Sequence, residues 1–131
     1  MNNDLSEKWP RFSEFVEFRE EMNEKILDLD HLGIKRFFTL DDRAYTDGAI
    51  PVKYKELMGL VASLVLKCEG CINYHIATSV RQDISRKEFS EAFNIGLIIG
   101  GSIIIPHLRE AVAFLDECLE IREQQPELLD F

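Results

Sequence analysis

The sequence predicts an all-α fold. Apolar residues recur at three- and four-residue steps along most of the chain, and no segment sustains a two-residue alternation. Helix start and stop signals fall between the periodic stretches. The chain has 131 residues, 46% of them hydrophobic, with nine Phe. That composition supports a packed core, so a single all-helical domain over residues 1–131 is expected.

The first helix is predicted from about Pro10 to Leu29. Trp9, Phe12, Phe15, Val16, Met22, Ile26 and Leu29 supply one apolar stripe, and Pro10 suits a first helical turn. His31 to Ile50 reads as irregular, with room for a short helix around Phe37 to Tyr45. Phe37 and Phe38 are expected to pin this segment to the core, and Asp47–Gly48 signals a turn. Pro51 opens a second long helix to about Lys67, with Leu57, Leu60, Val61, Leu64 and Val65 on its apolar face. A third begins at the Cys68–Cys71 segment and runs to about Val80. Ser85–Arg86–Lys87–Glu88 reads as a capping box, Ser at the cap and Glu three residues on, opening a helix that carries Phe89, Ala92, Phe93, Ile95 and Ile99. Gly100–Gly101 marks a break or a close helix contact. A last helix is expected from about Ser102 to Glu123, kinked at Pro106. The tail, residues 124–131, reads as frayed.

Two features bear on assembly and environment. The run Asn94–Ile105 is apolar all round, which predicts a segment buried on every side. In so short a chain a second copy supplies that burial most readily, so a homo-oligomer is expected. Lys and Arg total 15 against 24 Asp and Glu, a net charge of −9. That field repels a phosphate backbone and an anionic membrane surface, so neither nucleic acid nor membrane is an expected partner. Met1 to Glu7 lacks the basic region and apolar run of a signal peptide, and no apolar stretch is long enough for a membrane span. A cytoplasmic protein is the expectation.

Chemistry concentrates at Cys68–Glu69–Gly70–Cys71 and His75. The chain holds three cysteines, an odd count that does not suit a secreted disulfide framework. Cys68 and Cys71 stand three residues apart, which on a helix or its first turn puts both on one face within disulfide reach. His75 lies one turn beyond Cys71 on that face. A redox thiol needs such parts: a nucleophile, an imidazole or helix N-terminus that favours the thiolate, and a second thiol to close the disulfide. Other readings of the same residues are a zinc site with Glu56, His107 or Cys118 as fourth ligand, and a pair of inert buried thiols. No second C-x-x-C or H-x-x-x-H accompanies the motif. His107 reads as structural and Cys118 as an unreactive thiol.

The stretch Glu56–x11–Cys68–Glu69–Gly70–Cys71–x3–His75, with Ala77 after it, resembles the active-site signature of the alkylhydroperoxidase D / carboxymuconolactone decarboxylase family. Phe89–Ser90–Glu91–Ala92 and Gly100–Gly101–Ser102 resemble the family's small single-domain members. The resemblance covers roughly Pro51 to Glu117 and divides the chain into an N-terminal helix and irregular segment (1–50), a family-like core (51–123) and the tail. It implies an all-α bundle assembled as trimers or hexamers. It also implies that Cys71 attacks peroxide, Cys68 resolves, and Glu56 and His75 relay protons. Glu56 is singled out by the resemblance alone. The chain departs from the alkylhydroperoxidase pattern at Gly70, where that pattern carries a His between the cysteines.

The expected function is a thiol-dependent oxidoreductase that reduces peroxides or disulfides. No bound cofactor or metal is expected, and the resemblance suggests a dithiol electron donor, lipoyl-bearing or thioredoxin-like. Two other classes stay open at this point. One is a lyase of the carboxymuconolactone decarboxylase type, with His75 and Glu56 as acid and base. The other is a non-enzymatic redox or metal-binding oligomer.

Overall fold

In a computed structural model, which describes residues 3–131, the described residues form helices and turns and no β-strand. Met1 and Asn2, the start of the stretch read above for a signal peptide, lie outside the described residues. The chain divides into two compact units, Met1–Pro51 and Val52–Phe131.

The first unit holds α1 (Asn3–Lys8), α2 (Pro10–Leu27) and α3 (Leu32–Ala44). Trp9 separates α1 from α2, its N–H donating to the Leu5 carbonyl, and Pro10 occupies the first turn of α2. Trp9, Phe12, Ser13 and Val16 are buried, at the spacing of one helical face. The segment after α2 departs from expectation. It is a full helix of 13 residues rather than an irregular loop. Its start was hidden because His31, an unusual cap, does the work of Ser or Asp: its Nδ1 accepts from the Gly33 N–H at 3.1 Å. Nor does Phe37 pin the segment, since its side chain is exposed; Phe38 is half-buried.

The second unit is built from α4 (Val52–Val65), α5 (Glu69–Arg81), α6 (Arg86–Gly100) and α7 (Ile105–Gln124). α4 and α5 form a helical hairpin; α6 packs on α4, and α7 packs on α5. The core contains Leu60, Leu64, Ile72, Ile76, Val80, Phe89, Phe114 and Ile121, all but inaccessible. Ser85 caps α6 as predicted, with both halves of the capping box formed. Gly96 lets α6 approach α4, because a Cβ there would stand 2.8 Å from Leu64 Cδ2. α6 ends at Gly101, whose φ is 78°.

Two further expectations differ from the structure, and a third concerns burial by a second copy. Pro106 does not kink the last helix. A short 3-10 turn, Ser102–Ile104, precedes α7, and Pro106 sits in the first turn, where its missing N–H costs no hydrogen bond. The tail is not frayed. A second 3-10 turn, Pro126–Leu129, buries Leu129, and Arg81 donates to the Leu129 carbonyl at 3.3 Å. The run Asn94–Ile105, expected to be covered by a second copy, is open in the single chain. Ile95, Ile98, Ile99 and Ile103 are exposed. Ile95 and Ile99 join Tyr54, Met58, Val61 and others along an open apolar groove of about 680 Å³ between α4 and α6.

Candidate functional site

The sulfur pair is placed by the way α4 stops and α5 starts. After Val65 the chain reverses through Lys67 in the left-handed conformation, φ 60°. The Cys68 N–H donates to the Ser63 carbonyl at 3.1 Å and the Lys67 N–H to the Leu64 carbonyl at 3.1 Å, the two bonds of a Schellman stop. Cys68 then turns extended (φ −95°, ψ 98°) and becomes the cap of α5. Its Sγ accepts from the Cys71 N–H at 3.3 Å, standing where a Ser or Asp oxygen ordinarily would. Cys68 and Cys71 are joined as a disulfide, their Cα atoms 5.2 Å apart. Cys71 is exposed and Cys68 half-buried. A Cβ built at Gly70 would meet nothing within 4 Å, so the pair can be approached from that side. The start of a helix presents unpaired N–H groups and a partial positive charge, which favour a thiolate over a thiol.

Next to this pair along the hairpin lies a buried polar cluster. His75 follows Cys71 by one turn, and its Nδ1 stands 2.8 Å from Glu56 Oε2 across the hairpin. The same oxygen lies 2.6 Å from Thr78 Oγ1. That hydroxyl has one proton and is also near the Tyr74 and His75 carbonyls, at 3.0 and 3.2 Å; the carboxylate is the shortest of the three acceptors. Glu56 and His75 are only 3% and 8% exposed. With Nδ1 donating to the carboxylate, the imidazole lone pair is on Nε2, the arrangement in which a carboxylate orients a proton-transferring His. The alignment of Glu56 with His75 was beyond reach of local spacing, since the two stand on different helices.

Two residues of this site were missed by sequence reasoning. One is Thr78, the second donor to Glu56. The other is Gly59, one turn after Glu56 on α4. A Cβ at Gly59 would stand 2.6 Å from His75 Cε1 and 2.8 Å from both ring nitrogens, so the imidazole lies flat against the backbone there. The i, i+3 spacing of Glu56 and Gly59 was the available signal, but it acquires meaning only once His75 is known to face it.

The remaining candidates separate. His107, read as structural, is drawn to the motif: its Nδ1 stands 2.6 Å from Glu69 Oε1, between the starts of α5 and α7. Cys118 is buried and stands apart from the other two. Desolvation, with a smaller push from Glu117, raises its pKa well above the usual value. Among the described residues no group of three or more His, Cys, Asp or Glu is placed to hold a metal ion. Nor is any of their helices long and apolar enough to cross a membrane.

Known proteins resemble this chain in sequence and fold. The chain is similar to a solved structure from Thermotoga maritima, a carboxymuconolactone decarboxylase family protein described with a suggested involvement in antioxidative response. Identity is 50%, the alignment covers 88% of this chain and 97% of that one, and the TM-score is 0.82. It is also similar to a carboxymuconolactone decarboxylase family protein from Legionella pneumophila, solved in its apo form, at 26% identity, 90% and 99% coverage and a TM-score of 0.63. An uncharacterised protein of Cupriavidus necator is 26% identical over 73 residues, 56% of this chain and 65% of that protein's length. The carboxymuconolactone decarboxylase family profile matches residues 34–117, which take in Glu56, both motif cysteines and His75, and the chain belongs to that family.

Proposed function

We propose that this protein is a thiol-dependent oxidoreductase that reduces peroxides or disulfides through Cys68 and Cys71. The observation that carries the reading is a cysteine pair at a helix start whose exposed member, Cys71, lies one helical turn from an imidazole that a buried carboxylate holds. In the reduced protein the Cys71 thiolate attacks a peroxide oxygen. An S–O bond forms, the O–O bond breaks, and the alkoxide leaves as alcohol with a proton passed through His75 and Glu56. Cys68 then attacks the Cys71 sulfenic acid; the S–S bond forms and hydroxide departs as water. Two thiols have supplied the two electrons. A dithiol donor regenerates the pair: one donor thiolate attacks Cys71, and Cys68 leaves as thiolate with the helix start to stabilise it. The second donor thiol then displaces Cys71 and takes the oxidised form.

Exposure supports Cys71 as the sulfur that meets substrate, and the N–H held to Cys68 supports Cys68 as the resolving and leaving sulfur. The same N–H supports a second reading in which Cys68 attacks first. Mapping the site of single alkylation by iodoacetamide at neutral pH separates them: Cys71 is expected, and Cys68 would reverse the roles. The decarboxylase reading needs no sulfur and leaves the cysteine pair without a task.

This reading includes a cytoplasmic protein and a self-associated one, trimeric or hexameric, since the exposed isoleucines of α6 and the turn after it call for cover. Light scattering is expected to find no monomer at micromolar concentration.

The decisive experiment is anaerobic reduction followed by one equivalent of an organic hydroperoxide. One equivalent of alcohol and a Cys68–Cys71 disulfide are expected. Persistence of both free thiols, with a small-molecule disulfide as well as the hydroperoxide, would remove the oxidoreductase reading.

A further inference from the structure

Glu69 stands between the two reactive cysteines, and it is the first residue of α5. A carboxylate in a first turn favours the helix, because it faces the partial positive charge of the helix start. The same charge works against the sulfurs. Glu69 adjoins Cys68, with Cα atoms only about 3.8 Å apart, and precedes Cys71 by two residues, so its carboxylate can swing close to the Cys68 sulfur and carries its charge near Cys71 as well. A like charge beside a thiol disfavours the thiolate, the form that attacks peroxide and the form in which Cys68 must leave. The size of the effect therefore depends on where the carboxylate goes.

His107 limits it. From the first turn of α7 the imidazole holds Glu69 Oε1 at 2.6 Å. The Glu69 side chain is 52% exposed and that of His107 25%. A pair so open to water contributes little to stability, commonly under about 1 kcal/mol. A first-turn Glu also needs no partner to serve the helix. The consequence that matters is therefore where the charge is kept.

We propose that His107 is a positioning residue of the thiol centre, drawing the Glu69 carboxylate onto α7 and so keeping its charge off the two sulfurs it separates. The thiol centre then has two carboxylate–imidazole pairs with separate tasks. Glu56 and His75, on the buried side, hand protons to and from the chemistry. Glu69 and His107, on the open side, set how readily the cysteines ionise. This assignment rests on the oxidoreductase reading for its purpose, but its consequence is a property of the thiols themselves.

The test uses the full-length reduced protein and needs no substrate. Thiolate formation is followed against pH by ultraviolet absorbance, and the alkylation rate by iodoacetamide at neutral pH. His107→Ala releases the carboxylate and is expected to raise the lower thiol midpoint by about half to one pH unit, a three- to tenfold loss of thiolate at neutral pH. Alkylation should slow only about two- to fourfold, because the more basic sulfur is also more nucleophilic. Glu69→Gln removes the charge, so it should not raise the midpoint, and adding His107→Ala to it should change nothing further. Should His107→Ala fail to fold, His107→Gln replaces it; its amide can still donate to Glu69, and the midpoint is expected to stay at the parent value. The proposal is overturned if folded His107→Ala keeps the parent midpoint. It is equally overturned if His107→Ala raises the midpoint as much in the Glu69→Gln background as in the parent, or if His107→Gln raises it. A parent protein that consumes neither hydroperoxide nor disulfide, yet shows the His107→Ala shift and its loss in Glu69→Gln, would remove the functional reading and leave this assignment standing.

Discussion

Replacing Gly59 with Ala sets two effects of opposite sign against each other. In a helix interior the change ordinarily stabilises by about 1 kcal/mol. Here the new Cβ would lie 2.6 Å from His75 Cε1. To regain ordinary carbon–carbon contact of roughly 3.5 Å, the ring must retreat by about 0.9 Å, away from α4. Glu56 is on α4 too, so the retreat stretches the 2.8 Å bond between Nδ1 and Oε2 past the hydrogen-bond range, which ends near 3.2 Å. A buried hydrogen bond to a charged group is worth about 1.5–3 kcal/mol, so the loss outweighs the propensity gain and leaves the variant about 0.5–2 kcal/mol less stable. Under the proposed function, in which His75 transfers protons, a displacement of this size is expected to cost about 10²-fold in peroxide or disulfide turnover. Urea unfolding and turnover of the reduced protein measure both. With the ring removed the sign should invert: in a His75→Ala background, Gly59→Ala should stabilise by about 1 kcal/mol. A Gly59→Ala protein that is more stable than the parent and equally active would refute the close seating of His75 on Gly59.

Three other expectations follow from the same geometry. Lys67 adopts a left-handed backbone at the stop of α4, so Lys67→Gly is expected to stabilise by about 0.5–1 kcal/mol in denaturant titration. In the capping box, hydrogen bonds from the Ser85 backbone and then its side chain hold the Glu88 pKa below the usual 4.5, with Lys53 a lesser cause; a depressed carboxylate contributes stability above its unfolded pKa and loses it as pH falls through the folded one. The stability gap between parent and Glu88→Gln should therefore be present at neutral pH and close below about pH 4.5, read by unfolding at a series of pH values. Cys118, buried and with its pKa pushed up by desolvation, should resist iodoacetamide in the folded reduced protein, so that mass spectrometry finds Cys68 and Cys71 modified and Cys118 untouched until denaturant is added.

The sequence by itself determined the class of the fold and the cysteine–histidine part of the candidate site, because both are written in local spacing. A 3.6-residue period needs only neighbours to be read, and so does the capping box at Ser85. The face shared by Cys68, Cys71 and His75 follows from steps of three and four residues. Even so, His31 hid the start of α3, since capping by an imidazole nitrogen leaves no familiar signature. Glu56 was legible only through family resemblance, for nothing in its own surroundings sets it apart from other glutamates. What tertiary structure decided is which surfaces meet. Packing α4 on α5 turned Glu56, Gly59 and Thr78 into the setting of one imidazole, although Glu56 and His75 stand 19 residues apart. Packing α7 on α5 brought His107 across 38 residues to the acid between the cysteines. It also docked a tail whose composition reads as loose, because Leu129 finds a buried seat that no local pattern announces. Helices form from short-range periodicity, whereas the partners of their polar side chains are chosen by the angle and register at which the helices pack.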